Sequence, residues 1–177
     1  MRILKRILFV LLALIVVALI AALFVNKDYT ITREVSINKP RTDVYNYIKY
    51  LKNQNEFSKW AKMDPNMKKT FTGTDATVGF VSAWEGNKDV GKGEQEIKGI
   101  KDGERVDYEI RFKKPMESVA QAYMTTTAVN DNQTKVTWTF SGHMPYPFNL
   151  MRLLGMEKMI GKDLQTGLDN LKAIQEK

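Results

Sequence analysis

Nineteen consecutive residues, Ile7 to Val25, carry no polar side chain. As a helix rising 1.5 Å per residue, such a run reaches roughly 28 Å, close to the ~30 Å hydrocarbon core of a bilayer. A buried core helix fits poorly, because the run is terminal and uninterrupted. A secretory signal has a shorter apolar stretch followed by a small-x-small cleavage site; here Ala18, Ala21 and Ala22 have the wrong spacing. The run therefore reads first as an uncleaved anchor and second as a cleaved signal. Arg2, Lys5 and Arg6 precede it, whereas after it Lys27 with Asp28 and Arg33 with Glu34 cancel in sign. The positive-inside rule then predicts a single pass in the cell membrane, with a cytoplasmic N-terminus and an extracytoplasmic (in a Gram-negative cell, periplasmic) remainder. The expected division is an anchor over residues 1–26, with the bilayer as partner of residues 7–25, and one domain over residues 27–177.

Composition matters once the anchor is set aside. The chain holds 27 Lys and Arg against 20 Asp and Glu. Three of those basic residues precede the apolar run, so the domain has 24 against 20, a net +4 out of the +7 total. Lys68-Lys69 and Lys113-Lys114 are isolated pairs rather than a basic stripe, so nucleic acid is not an expected partner. The chain has no cysteine and one histidine. Disulfides, thiolate nucleophiles, cysteine metal sites and two-histidine mechanisms are thereby excluded within one chain. No metal or other cofactor is expected.

Period-2 alternation marks the strands. Tyr29 to Ile37 alternates, with one break at Arg33. Asn38-Lys39-Pro40 then punctuates, and Pro40 can open a helix. Val44, Tyr45, Ile48 and Leu51 follow at helical spacing, with a second helical piece expected over Gln54 to Trp60. Six further β segments are predicted: 68–73, 79–85, 93–100, 105–112, 118–129 and 134–142. Asp102-Gly103 joins the third to the fourth as a hairpin turn. From Phe148 to about Gln175 the period is helical, which predicts one helix of about 40 Å. Gly155, Gly161 and Gly167 interrupt its apolar stripe; they read as local looseness or close packing, or as room left for a ligand. The order β, α, α, six β, long α predicts an α+β architecture: an antiparallel sheet of about seven strands with helices on one face.

Three local patterns then carry a family resemblance. One is Ile37-Asn38-Lys39-Pro40 leading into Val44-Tyr45, with Trp60 closing the helical pair. Another is Gly79 to Trp84-Glu85-Gly86-Asn87, followed by Gly91-Lys92-Gly93. The last is Thr134-Lys135-Val136-Thr137-Trp138 ahead of the C-terminal helix. Together, over residues 29–175, the chain resembles the SRPBCC superfamily (START-like, helix-grip), and within it the bacterial polyketide cyclase/dehydrase-like group. The resemblance implies a helix-grip fold, a curved sheet wrapped on the long C-terminal helix, with a cavity for a hydrophobic small molecule or lipid. Some members are enzymes, so catalysis is implied by the resemblance only as one option.

If the helix covers the sheet, alternation and helical spacing nominate the cavity residues: Trp60; Phe80, Ser82 and Trp84; Gln95 and Ile97; Tyr108, Ile110 and Phe112; Ala122, Met124 and Thr126; Trp138 and Phe140; Met156, Ile160 and Leu164. Their plain alternative is a filled core. The parity of the 118–129 strand is ambiguous, since Val119, Gln121 and Tyr123 form its other face. Two residues are catalytic candidates. Glu85 follows Trp84, and a carboxylate against indole can have a raised pKa; its alternative is a solvated loop acid. His143 ends the last strand and could act as a general base, or sit at the surface. The sequence favours a non-catalytic binder, because no triad, metal set or paired carboxylates occur in it. Its competitors are a cyclase- or hydrolase-type enzyme using Glu85 or His143, and a stress-response or interaction domain with a vestigial cavity.

Overall fold

A computed structural model describes residues Arg2 to Lys177. The apolar run forms helix α1 (Arg2–Phe24), the one described helix long and apolar enough to cross a membrane, by length and composition. A span and a signal sequence both meet that description. Strand β1 (Asp28–Ile37) follows, then α2 (Arg41–Ile48). The second helical piece is fragmented into a 3-10 turn (Leu51–Asn53), α3 (Gln54–Phe57) and α4 (Lys59–Lys62). Next come β2 (Lys68–Thr72), β3 (Val81–Glu85), β4 (Lys92–Lys101), β5 (Arg105–Lys114), β6 (Ser118–Asn130) and β7 (Gln133–His143). The chain closes with a 3-10 turn (Phe148–Arg152) and α5 (Met156–Gln175). All seven strands form one antiparallel sheet in the order β1-β7-β6-β5-β4-β3-β2. This is the α+β helix-grip fold.

The predicted long helix is shorter than its periodicity suggests. Gly155 takes φ +89°, a conformation that L side chains rarely adopt, and separates the 3-10 turn from α5. The helix is left with 20 residues, about 30 Å. Its two interior glycines mark close approach. A Cβ on Gly167 would lie 2.8 Å from Cζ3 of Trp138, and one on Gly161 would press into the Arg33 guanidinium of β1. Arg33, the break in the β1 alternation, thus lies beneath the helix and donates to the Thr32 carbonyl at 2.7 Å.

The strand parities settle the ambiguous case. On β6, Ala120, Ala122, Met124 and Thr126 are buried, while Val119 and Gln121 are exposed. Val106 and Tyr108 of β5 and Val136, Trp138 and Phe140 of β7 turn to the same side. There α2 packs on β6 and β7, burying Val44, Tyr45 and Ile48, and α5 buries Leu164, Leu168 and Leu171. Each such large side chain removed from water contributes about 1.5–3 kcal/mol.

The outer face of the sheet is charged. Arg111 on β5 donates to Glu94 at 2.7 Å, to Glu96 at 2.7 Å and to Glu109 at 2.5 Å. Hydrogen bonds hold all three carboxyls below the usual carboxylate range: Lys113 then Arg111 for Glu94, Arg111 then Lys98 for Glu96, and Arg111 then Gln121 for Glu109. A depressed folded-state pKa stabilises the fold above the unfolded value, near 4.3, and that contribution is lost as pH falls through the folded values. Urea unfolding should therefore show stability dropping as pH falls from about 5 toward 3. The Arg111→Met variant is expected to be less stable at pH 7 but to lose less on acidification. A variant that loses as much as the parent would show that the network does not set this dependence.

Candidate functional site

Between the sheet and the helices lies a cavity of about 360 Å³. Its sheet wall comes from the inward faces of Ser82 and Trp84 on β3, Gln95 on β4, Ile110 and Phe112 on β5, and Trp138 and Phe140 on β7. Its helical wall comes from Leu51, Gln54, Asn55 and Ser58, then Trp60 and Ala61 of α4, and Ile160 of α5. Met67, Lys69, Asp89, Val90, Lys114 and Pro115 form the rim. All three tryptophans of the chain are on this wall.

The rings hold one another in place. Trp60 and Trp138 meet edge to face at 90° with centroids 6.3 Å apart, and Phe57 meets Trp138 at 5.7 Å. Trp84 meets Phe112 at 6.0 Å and 78°. Its indole donates to the Val90 carbonyl at 3.4 Å, tying the β3–β4 turn to the wall. Gly93 makes room for that ring, because a Cβ there would lie 2.5 Å from Trp84 Cζ2 and 2.7 Å from the Arg111 carbonyl oxygen. Edge-to-face pairs are worth about 0.5–1.5 kcal/mol beyond their burial.

One polar feature stands out in this apolar lining. Gln54 is only 7% exposed, and its amide nitrogen has no hydrogen-bond partner. The hydroxyl of its neighbour Tyr108 also lacks one, and burial pushes the Tyr108 pKa well above the ordinary tyrosine value. Both polar atoms are shielded from the cavity, and the Gln54 amide beside the Tyr108 hydroxyl opposes part of that rise.

Of the residues nominated from sequence, Trp60, Ser82, Trp84, Gln95, Ile110, Phe112, Trp138, Phe140 and Ile160 come together on the cavity wall. Phe80, Ile97, Tyr108, Ala122, Met124, Thr126, Met156 and Leu164 are buried without reaching it. Phe80 stacks on Phe71 at 6.1 Å, and the Thr126 hydroxyl is satisfied by the Gly103 carbonyl at 2.9 Å. Gln54, Ser58 and the rim turns were missed. Short helices and turns carry no period from which an inward face can be read.

The two catalytic candidates lie off the wall. Glu85 is on the outer face of β3, and its carboxylate accepts from Lys92 Nζ at 3.0 Å. That hydrogen bond and charge, with Lys114 and Lys68 nearby, lower its pKa. This is opposite to the raised value that contact with an indole would produce. His143 is exposed, with Nδ1 2.7 Å from Asp28 Oδ1. Among the described residues, no group of three or more His, Asp or Glu side chains is placed to hold a metal ion.

Strand register locates the rim. Asp28 pairs with His143, Ala120 with Gly142, Phe112 with Ser118, Lys92 with Lys114, and Glu85 with Lys92. The turns bearing Asp89-Val90 and Lys114-Pro115 therefore sit at the end of the sheet where β1 leaves α1.

The same architecture recurs in solved structures. A protein of Nitrosospira multiformis matches at TM-score 0.59 and 16% identity, over 83% of this chain and 96% of its own. A protein of Chromobacterium violaceum matches at TM-score 0.58 and 15% identity, over 84% of this chain and 98% of its own. Norcoclaurine synthase of Thalictrum flavum, solved with dopamine and hydroxybenzaldehyde, matches at TM-score 0.65 and 9% identity, over 85% of this chain and 88% of its own. At these identities the likeness is one of fold. No curated protein matches the chain in sequence. A family model does, described as polyketide cyclase / dehydrase and lipid transport, over residues 28–176. With every strand and α5 inside that match, the chain belongs to the polyketide cyclase / dehydrase and lipid transport family.

Proposed function

We propose that this chain is a membrane-anchored binder that holds an apolar small molecule or lipid in the cavity and does not transform it. The observation that carries the reading is an aromatic-walled space of about 360 Å³ bounded by Trp60, Trp84, Phe112, Trp138 and Phe140. That volume is within the usual ~300–1,000 Å³ of ligand sites, as is the pattern of apolar walls with few polar groups. Binding would draw on burial of ligand area at about 25 cal/mol per Å². The family description includes lipid transport, and the Thalictrum protein holds aromatic small molecules in the same fold. Against chemistry stands the placement of Glu85 and His143 outside the cavity, with Glu85 held charged by Lys92. The anchor reading rests on α1 and its basic N-terminal flank, which would leave the domain outside the cytoplasm.

Because every tryptophan lines the cavity, its fluorescence reports on occupancy. Full-length protein in detergent should transfer energy from tryptophan to cis-parinaric acid saturably, and oleate should compete. Glu85→Gln and His143→Ala variants should bind as the parent does. Transfer that never saturates would overturn the ligand reading, and turnover of a bound compound that collapses in either variant would establish the enzyme reading instead.

A further inference from the structure

After β7 the chain lays its 3-10 turn against the end of α1. Asn149 is fully buried there; its side-chain nitrogen donates to the carbonyls of Ala22 at 2.7 Å and Val25 at 2.8 Å. These belong to the last turn of α1 and its exit, whose carbonyls have no partner within the helix. Arg152 donates to the carbonyls of Asn26 and Asp28, each at 2.7 Å, and pairs with Glu157. The turn is thus pinned at the point where the apolar helix ends.

From this pinned segment large apolar side chains project outward. Leu153 is 68% exposed and Leu154 76%, with Phe148, Met151 and Met159 exposed beside them. Contiguous exposed apolar surface marks a binding face rather than ordinary surface. Its position names the occupant. If α1 spans a bilayer, the carbonyls of Ala22 and Val25 lie where the helix leaves the hydrocarbon, and the patch fixed to them lies at the same depth. An interfacial segment buries its apolar face about 5–10 Å into the headgroup and acyl boundary.

We propose that Phe148–Met159 is a second membrane contact, seated in the bilayer interface beside the exit of α1. The proposal rests on the reading of α1 as a span. It makes the anchor a rigid mount rather than a tether. The cavity rim at Asp89-Val90 and Lys114-Pro115 is on this same end of the sheet, so the mount turns the cavity toward lipid.

The absence of native cysteine permits single-site spin labelling of the full chain. Leu154→Cys and Phe148→Cys would be labelled and reconstituted in phosphatidylcholine–phosphatidylglycerol vesicles. Leu14→Cys in α1 and Asp131→Cys in the β6–β7 turn serve as references for hydrocarbon and water. The labels at 154 and 148 should be roughly tenfold less accessible to a water-soluble nickel relaxant than the label at 131, and more accessible to oxygen. Water-like accessibility at 154 and 148, with the label at 14 in lipid, would overturn the proposal and leave the anchor intact. Exclusion of both reagents would overturn it in favour of a protein partner or a second copy. A label at 14 that is itself in water would remove the span, and the second contact with it.

Discussion

Replacing Trp138 by alanine is expected to cost the domain about 3–5 kcal/mol, the range for deleting a large buried aromatic side chain. Trp138 is 4% exposed on β7, flanked in the sheet by β1 and β6. Its ring meets Phe57 and Trp60, and α5 approaches it so closely that position 167 has no room for a Cβ. Truncation removes one ring and leaves three neighbours, on α3, α4 and α5, facing a void. Collapse is blocked because the sheet fixes β7 from both sides. Against a typical domain stability of about 5–15 kcal/mol this is a large share. At about 2–4 °C per kcal/mol, the melting midpoint should fall by roughly 6–20 °C. The measurement is thermal unfolding of the full chain followed by near-UV circular dichroism. A loss below about 1 kcal/mol would mean that the ring borders solvent-filled space on most sides and is not a core residue.

Trp138 also shows what alternation can and cannot report. Alternation identified the inward parity of β5 and β7 outright, and for β6 it nominated the buried face. It reports a face, however, and not what stands opposite. Along each strand the half near the turns at Ile37, Lys101 and Asn130 meets α2 and the leucines of α5, and Ile97, Tyr108 and Met124 there are fully buried. The half near α1 faces short helical turns and the first turns of α5 around Ile160, so Ser82, Gln95, Ile110 and Phe112 border open space. The difference lies in where α2 to α5 sit, which is a tertiary fact. The glycines of α5 illustrate the same point. Their spacing in sequence is compatible with ligand room or with close packing; the positions of Trp138 and Arg33 decide for packing at 167 and 161, while Gly155 is a helix boundary. Gln54 had no sequence signal, because a buried amide in a short turn is indistinguishable from a surface one until its surroundings exist.

The largest expected effect on binding comes from filling the open half. Ser82→Phe places a ring on β3 beside Trp84 and across from Gln95, on the cavity side of the sheet. A ligand that covers this wall would lose about 100 Å² of apolar contact, about 2.5 kcal/mol at 25 cal/mol per Å². The ring would also occupy volume the ligand needs, so affinity for cis-parinaric acid should fall by at least about 100-fold. Stability should move the other way or not at all. The added ring would bury apolar area in a space that is not close-packed in the parent, so overpacking strain is absent. These opposed signs separate a ligand site from an imperfect core. In a core, a Phe forced in at position 82 lowers stability; in a vestigial cavity it raises stability and leaves probe binding unchanged, because there was no specific binding to lose. Only a working cavity loses affinity while keeping or gaining stability, since the chain then forgoes packing at this end of the sheet in order to admit a guest.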